Sequence, residues 1–314
     1  MRLPFRHASG GTVEHPTARP NGALRWLLPL TLLACRGGFN YESPAGPRYA
    51  SSAPACPGPR RDGDLLVVSY NIEFARRIDE AIAVLRDTPE LAGADVVLLQ
   101  EMTADATARV ASALRMGFVY YPAIHHRRAK QDFGNAVLSR WPIEHDAKLV
   151  LPHRSRYAGT QRAATVATIR VDTTAIRVYS THLGTPADVS ERRRREQLQV
   201  ILRDAASFPA AVVGGDMNMG DPGRTVQEHG FRLVTSATPK TTRFGRWDHV
   251  LVRGAALRVP ARAGVVDRGR TASDHKAVWV RIPLRSRPVL QPLQECARRE
   301  PGNSDQPAPS GGLR

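Results

Sequence analysis

The chain has 314 residues, 42% of them apolar, which is enough for a real core and excludes wholesale disorder. It carries 45 Lys and Arg against 29 Asp and Glu, a formal net charge of +16, and only Lys130, Lys148, Lys240 and Lys276 among the basic residues are lysines. The excess points either to an anionic partner (nucleic acid, phospholipid headgroups, phosphate esters) or to the arginine bias of a GC-rich genome.

Residues 1–25 are polar, with Arg2, Arg6, Arg19 and Arg25, and lead into an apolar run over 26–34 that ends at Cys35. A bilayer-spanning helix takes about 20 residues, so this run is too short to cross. A basic flank, a short apolar stretch and a small residue read as an export signal over 1–34. Leu32, Leu33, Ala34 and Cys35 also resemble a bacterial lipobox, in which Cys35 is lipidated and becomes the mature N-terminus. The sequence therefore predicts an exported protein, either secreted or anchored in the cell envelope. Residues 35–63 are rich in Gly, Pro, Ser and Ala and read as a flexible tether, and 285–314 as a disordered tail. Cys35, Cys56 and Cys296 all fall outside the dense region, and no CxxC pair suggests a structural zinc. This leaves a domain over 64–284, with 32 basic and 23 acidic residues.

Within it, short β-branched runs predict strands at 65–70, 95–99, 135–139, 163–171, 176–181, 210–214, 248–252 and 276–282. Helical spacing predicts helices at 75–86, 103–115 and 190–206, the last with Ser190 as N-cap. Strands outnumber helices, which favours an α/β arrangement of sheets packed together with helices outside.

Most apolar runs carry a polar residue at one end: Asn71, Glu101, His182, Asp216 with Asn218, Asp248, and Asp274 with His275. Singly, each has an ordinary explanation. Asn71 would be a turn former, a histidine a hydrogen-bonded structural residue, and Asp248 a cap or an arginine partner. As a set they ask for another, because buried carboxylates are costly unless paired or bound to metal. Asn, Glu and three Asp form a hard-oxygen set that suits Mg²⁺ or Mn²⁺ rather than zinc.

In chain order the pieces are Ser69-Tyr70-Asn71-Ile72, Leu99-Gln100-Glu101, Gly134-Asn135-Ala136-Val137-Leu138-Ser139, Thr181-His182-Leu183, Gly215-Asp216-Met217-Asn218, Asp248-His249-Val250 and Ser273-Asp274-His275. Together they resemble the endonuclease/exonuclease/phosphatase family of metal-dependent phosphoesterases, over essentially all of 64–284. The resemblance implies a four-layered α/β sandwich, two mostly antiparallel β-sheets face to face with helices outside. It implies that Asn71 and Glu101 hold the metal with Asp274 near it, and that Asp216 orients or deprotonates the attacking water. Asn218 would position that water or the phosphate, and His275, held by Asp248, would hydrogen-bond the phosphoryl oxygens. His182 would donate to a phosphate oxygen or the leaving group. Asn135 would contact the phosphate, unless the Gly-Asn pair is simply a turn.

His182 resembles the deoxyribonuclease I, sphingomyelinase and inositol-phosphatase branches, yet the sequence shows no carboxylate partner for it. Arg246-Trp247-Asp248-His249 stands where inositol polyphosphate 5-phosphatases carry Trp-Cys-Asp-Arg, and no exposed aromatic hairpin is evident. Residues 125–130 with Arg154, Arg156 and Arg162 are candidates for a phosphate-binding rim, and 192–195 for a solvated helix face. The leading expectation is an exported, monomeric, Mg²⁺-dependent phosphodiesterase acting as a nuclease on nucleic acid. The second is the same chemistry on a phospholipid, sphingomyelin-like or small phosphoester substrate at a membrane surface. An inactive binding module is the third, and it would not need Asn71, Glu101, Asp216, Asn218 and His275 together.

Overall fold

The computed structural model describes residues 38–53, 63–127, 129–171, 173–258, 261–267 and 272–285. The expectations for the export signal, for the three cysteines and for the tail beyond 285 lie outside the described residues.

The elements run β1 (Gly38–Asn40), β2 (Tyr49–Ser51), β3 (Asp64–Asn71), α1 (Ile78–Asp87), β4 (Val96–Met102), α2 (Ala104–Leu114), β5 (Gly117–His126), β6 (Gln131–Ser139), β7 (Ile143–Val150), β8 (Ala163–Val171) and β9 (Thr174–His182). They continue with α3 (Glu191–Ala206), β10 (Ala210–Asp216), α4 (Gly223–Glu228), β11 (Arg232–Leu233), β12 (Asp248–Gly254), β13 (Arg262–Val265) and β14 (Val278–Pro283). Among the described residues the strands form an eight-stranded sheet, ordered β1-β5-β6-β4-β3-β14-β13 with β2 also on β5, and a six-stranded sheet, ordered β11-β12-β10-β9-β8-β7. Each sheet has one parallel pair, β3 with β4 and β9 with β10, among antiparallel neighbours.

Three apolar clusters glue four layers. Leu65, Val67, Val96 and Leu98 of the first sheet meet Ile169, Val178, Val212 and Val250 of the second between the sheets. The alternate residues Leu66, Val68, Val97 and Leu99 face outward onto Ile78 and Leu85 of α1 and Val110 of α2. On the far side, Val166, Tyr179, Val213 and Leu251 pack beneath Leu198, Ile201 and Leu202 of α3. A strand buried on both faces reads as a continuous apolar run instead of an alternating one, which is the pattern of these segments.

The structure departs from expectation in several places. Residues 38–53, expected as tether, carry β1 and β2, which pair with His126–Ile124 and Tyr120–Phe118 of β5. Strand β5 itself is unanticipated, because Pro122 interrupts it and the ladder to β6 shifts register between Pro122 and Ile124. Strand β7 is an edge strand and only Lys148 along it is fully buried, so its pattern is weak. Ser190 makes no side-chain cap bond to α3, whereas Thr103 accepts from the Ala106 amide, 3.2 Å, at the start of α2. Helix α1 starts at Ile78 instead of 75 because Glu73, Phe74 and Ala75 all hold positive φ. Arg194 is buried with its guanidinium on the Val189 carbonyl, not on a solvated face.

Candidate active site

The polar residues at strand ends converge because both sheets stop at the same edge of the sandwich. In the second sheet Asp216 ends β10, directly opposite His182 on the parallel strand β9 and Asp248 on the antiparallel strand β12. Gly215 just before it has φ +148°, and a Cβ there would lie 1.8 Å from the Thr181 carbonyl oxygen. Only glycine lets β10 approach β9 this closely, which explains the Gly-Asp order. Asn218 follows with φ +51°, its amide N–H donating to Asp216 Oδ1 (2.9 Å) and its Nδ2 to the Leu183 carbonyl (3.2 Å).

The first sheet contributes Asn71 at the end of β3 and Glu101 on β4. Glu101 lies in a register shift of the β4–β6 ladder with φ +59°, a strained backbone that swings its carboxylate out of the sheet. Asn71 Nδ2 donates to Glu101 Oε1 and to Asp216 Oδ2, both at 3.2 Å, so one amide bridges the two sheets. The Phe74 amide donates to Glu101 Oε2 at 2.9 Å. Ser273 Oγ donates to the Asn71 carbonyl (2.7 Å) and accepts from the His275 amide (3.0 Å), fastening the Ser-Asp-His loop onto β3.

His275 Nδ1 is 2.9 Å from Asp248 Oδ2, and its Nε2 is 3.6 Å from Asp216 Oδ2. Burial alone would lower this imidazole, but the Asp248 carboxylate, with Asp216 and Asp274 behind it, more than offsets that, and its pKa stands at about 10. Asp216 is pushed up to about 7 by burial and then by Asp248, against the pull of His275. Burial also raises Glu101. His182 is held well below its usual value by burial and by the Arg162 and His275 cations, so its ring is neutral. The carboxylate partner missing from the sequence is present: His182 Nε2 is 3.3 Å from Asp216 Oδ2, and Nδ1 is 3.8 Å from Glu101 Oε1. The strand order supplies it, and no spacing along the chain reveals it.

A cleft of 340 Å³ opens on this cluster, lined by Glu101, His182, Asp216, Asn218 and His275, with Asp274 at an exposed position on its wall. Asn135 lines it too, with Nδ2 donating to the Ala163 carbonyl at 2.7 Å, which ties β6 to β8. Of the expected basic rim, only Arg162 lines the cleft; Arg154 pairs with Glu42, and Arg156 lies over the Tyr157 ring. His125 instead faces Asp132 at 2.6 Å. Four aromatic residues went unread in the sequence. Phe74 packs edge-on to Phe133 (5.2 Å), both lining the cleft, and Trp247, which lines it too, is stacked with the exposed Phe244 (5.4 Å). Their signal was faint, because each is a lone aromatic in a loop or at a ragged strand end.

The family model described as the Endonuclease/Exonuclease/phosphatase family matches residues 68–275. The chain belongs to that family. Members of the endonuclease/exonuclease/phosphatase family are metal-dependent hydrolases of phosphoester bonds. No curated protein matches the chain. Among solved structures, a family protein from Beutenbergia cavernae DSM 12333 superposes with a TM-score of 0.58 at 23% identity, over 70% of this chain and 72% of that one. The family protein from Bacteroides vulgatus gives 0.57 at 16%, over 70% and 99%. TDP2 from D. rerio, complexed with a single-strand DNA product, gives 0.54 at 17%, again over 70% and 99%. These likenesses establish the α/β sandwich.

The residues present fit the divalent cation that the family uses. Glu101 and Asp216 bring carboxylate oxygens together around the Asn71 amide, whose Nδ2 donates to both while its Oδ1 accepts from the Glu73 amide, and burial raises both carboxylates, as expected where negative charge lacks a counter-ion. Asp216, Asp248 and His275 also lie close enough to share an ion.

Proposed function

We propose that the chain is a Mg²⁺- or Mn²⁺-dependent phosphodiester hydrolase acting on nucleic acid, with a single-stranded segment as its preferred substrate. The observation that carries the hydrolase reading is the Asp248–His275–Asp216 line meeting the Asn71–Glu101 pair across one cleft. Asn71 and Glu101 would hold the cation, with Asp274 nearby; when bound, it would neutralise phosphoryl charge and ease ionisation of a water. Asp216, near-neutral in pKa, accepts the proton of the attacking water, and Asn218 fixes the Asp216 carboxylate and that water. His275, kept cationic by Asp248, donates from Nε2 to the phosphoryl oxygens as charge builds on them. His182 is neutral and so serves as a hydrogen-bond donor to phosphate or leaving group, not as a strong acid. Arg162 adds a second cation for the phosphate.

The aromatic walls favour nucleic acid. Phe74, Phe133 and Trp247 line the cleft, Phe244 stacks on Trp247, and Arg76 and Arg243 lie over Phe74 and Phe244. Aromatic faces beside a cationic groove stack successive bases without reading their sequence. The likeness to a TDP2 complexed with single-strand DNA product agrees with this. A second reading, phosphoester hydrolysis at a membrane surface, draws on the lipobox-like Leu32-Leu33-Ala34-Cys35 of the sequence, and on β1 pairing with the edge of β5, whose Ala123 and Ile124 line the cleft.

The test incubates the full chain, with Mg²⁺ or EDTA, with single-stranded and duplex DNA, RNA and sphingomyelin. EDTA-sensitive cleavage of single strands ahead of duplex supports the proposal. Turnover of lipid alone transfers it to the second reading, and no turnover of any substrate removes both. Palmitate labelling that marks wild type and not Cys35→Ala would establish export with lipidation; equal labelling would refute the lipobox reading.

A further inference from the structure

Resting on the phosphodiesterase reading, we propose that Asn40, on the N-terminal strand β1, is a positioning residue for Arg162 in the cleft. It acts through the loop between β7 and β8.

Strand β1 adds to the outer edge of the first sheet, where the register Asn40↔Ile124 places Asn40 level with a residue that lines the cleft. Its amide spans to the other sheet. Nδ2 donates to the Gly159 carbonyl (2.9 Å) and Oδ1 accepts from the Gln161 amide (2.8 Å). This two-bonded grip mimics one rung of a β-ladder and fixes the backbone immediately before Arg162. Three neighbours on the same strap reach the same side of the second sheet: Lys148 Nζ donates to the Tyr41 carbonyl, Arg154 pairs with Glu42, and Arg48 pairs with Asp146 at 2.6 Å.

The loop itself has little internal regularity. Residues 151–162 contain no strand or helix; a turn between Ser155 and Thr160 and the Leu151 amide on the Arg162 carbonyl (2.9 Å) hold them internally, and Asp188 and Gln197 bond their backbone at 152, 153, 156 and 157. The Arg162 guanidinium makes no hydrogen bond or salt bridge among the described residues, although Glu101 and Asp216 lie close enough to act on it. Its direction is therefore set by its backbone. A cation whose aim depends on its backbone loses effectiveness when that backbone is freed, since misplacement by about 1 Å can cost a hundredfold.

The experiment is a double-mutant cycle on the full chain: wild type, Asn40→Ala, Arg162→Ala and the double variant. It measures kcat/KM on a phosphodiester, the affinity for inorganic phosphate by calorimetry, and hydrogen exchange at Gln161. Asn40→Ala should lower kcat/KM about tenfold, within the coupling range of residues in one network, and by less than about twofold when Arg162 is already alanine. Phosphate affinity should show the same coupling, and the Gln161 amide should exchange faster without a change in far-UV circular dichroism. Asn40→Asp, which retains size and the acceptor oxygen, should show the same directions with a smaller effect if the alanine variant folds poorly. Equal effects of Asn40→Ala in both backgrounds would overturn the positioning role while leaving the hydrolase reading intact. Coupled phosphate binding without turnover would do the reverse.

Discussion

Replacing Asp248 by asparagine keeps the size and a hydrogen-bond acceptor beside His275 Nδ1 but removes the charge that holds the imidazole protonated. In the wild type this charge sits 2.9 Å away, on a side chain fully buried on β12, and lifts the His275 pKa to about 10 against the downward push of burial. Without it only Asp216 and Asp274 oppose the burial effect, so the pKa should fall well below 10, toward the ordinary histidine value of about 6.5. A full fall to about 6.5 would drop the protonated fraction at pH 8 from about 0.99 to about 0.03, which sets roughly thirtyfold as the upper bound on the loss of the competent form from charge state alone. Titration of the ring by NMR in the metal-free protein reads the shift directly, and the kcat/KM profile with Mg²⁺ should show its alkaline limb move by up to about three pH units, with activity partly regained near pH 6. An Asp248→Asn protein whose His275 still titrates near 10 would refute the claim that Asp248 sets this charge.

Further outcomes follow from the same geometry. Gly215→Ala would force a Cβ to within 1.8 Å of the Thr181 carbonyl at a positive φ, so a loss of at least about 3 kcal/mol and a Tm about 10 °C lower are expected; an unchanged Tm would contradict the close approach of β9 and β10. In the metal-free protein, Asp216, raised to about 7, contributes stability that is complete below about pH 4 and is lost as pH rises through about 7. The Tm of Asp216→Asn should therefore depend less on pH across that window, and Mg²⁺ should raise the wild-type Tm more at pH 8 than at pH 5. Identical pH curves for the two proteins would argue against a raised Asp216. Phe74→Ala and Trp247→Ala should each raise KM for a single-stranded oligonucleotide about fivefold to a hundredfold with kcat little changed, as loss of base stacking demands; unchanged KM values would remove the stacking argument.

Much of the site was legible because backbone chemistry leaves marks in sequence. Strands buried on both faces produce apolar runs such as 65–70 and 210–214, and a polar residue ending such a run, as Asn71 or Asp216 does, stands out against them. What is set by pairing between distant strands was not legible. His182 obtains its carboxylate because β9 and β10 run parallel in register, and nothing near position 182 announces Asp216. Strand β5 was hidden by Pro122 and its bulge. Residues 38–53 have the composition of a linker, yet backbone pairing to β5 and side chains such as Asn40 and Arg48 order them. The sequence groups Arg162 with Arg154 and Arg156 as rim candidates, and only its place just before β8 puts it in the cleft.

The central claim is that these residues hydrolyse a phosphodiester with a divalent cation held by Asn71 and Glu101. It is tested most directly by bis-p-nitrophenyl phosphate turnover in wild type, Glu101→Ala and His275→Ala, with Mg²⁺ titrated from EDTA-treated protein. The account predicts EDTA-sensitive turnover in wild type and a loss of two to three orders of magnitude, on the scale of removing one key transition-state group, in His275→Ala at saturating Mg²⁺. In Glu101→Ala the Mg²⁺ concentration for half-activity should rise at least about tenfold. Wild-type turnover that survives EDTA, or a Glu101→Ala enzyme with an unchanged Mg²⁺ dependence, would contradict it.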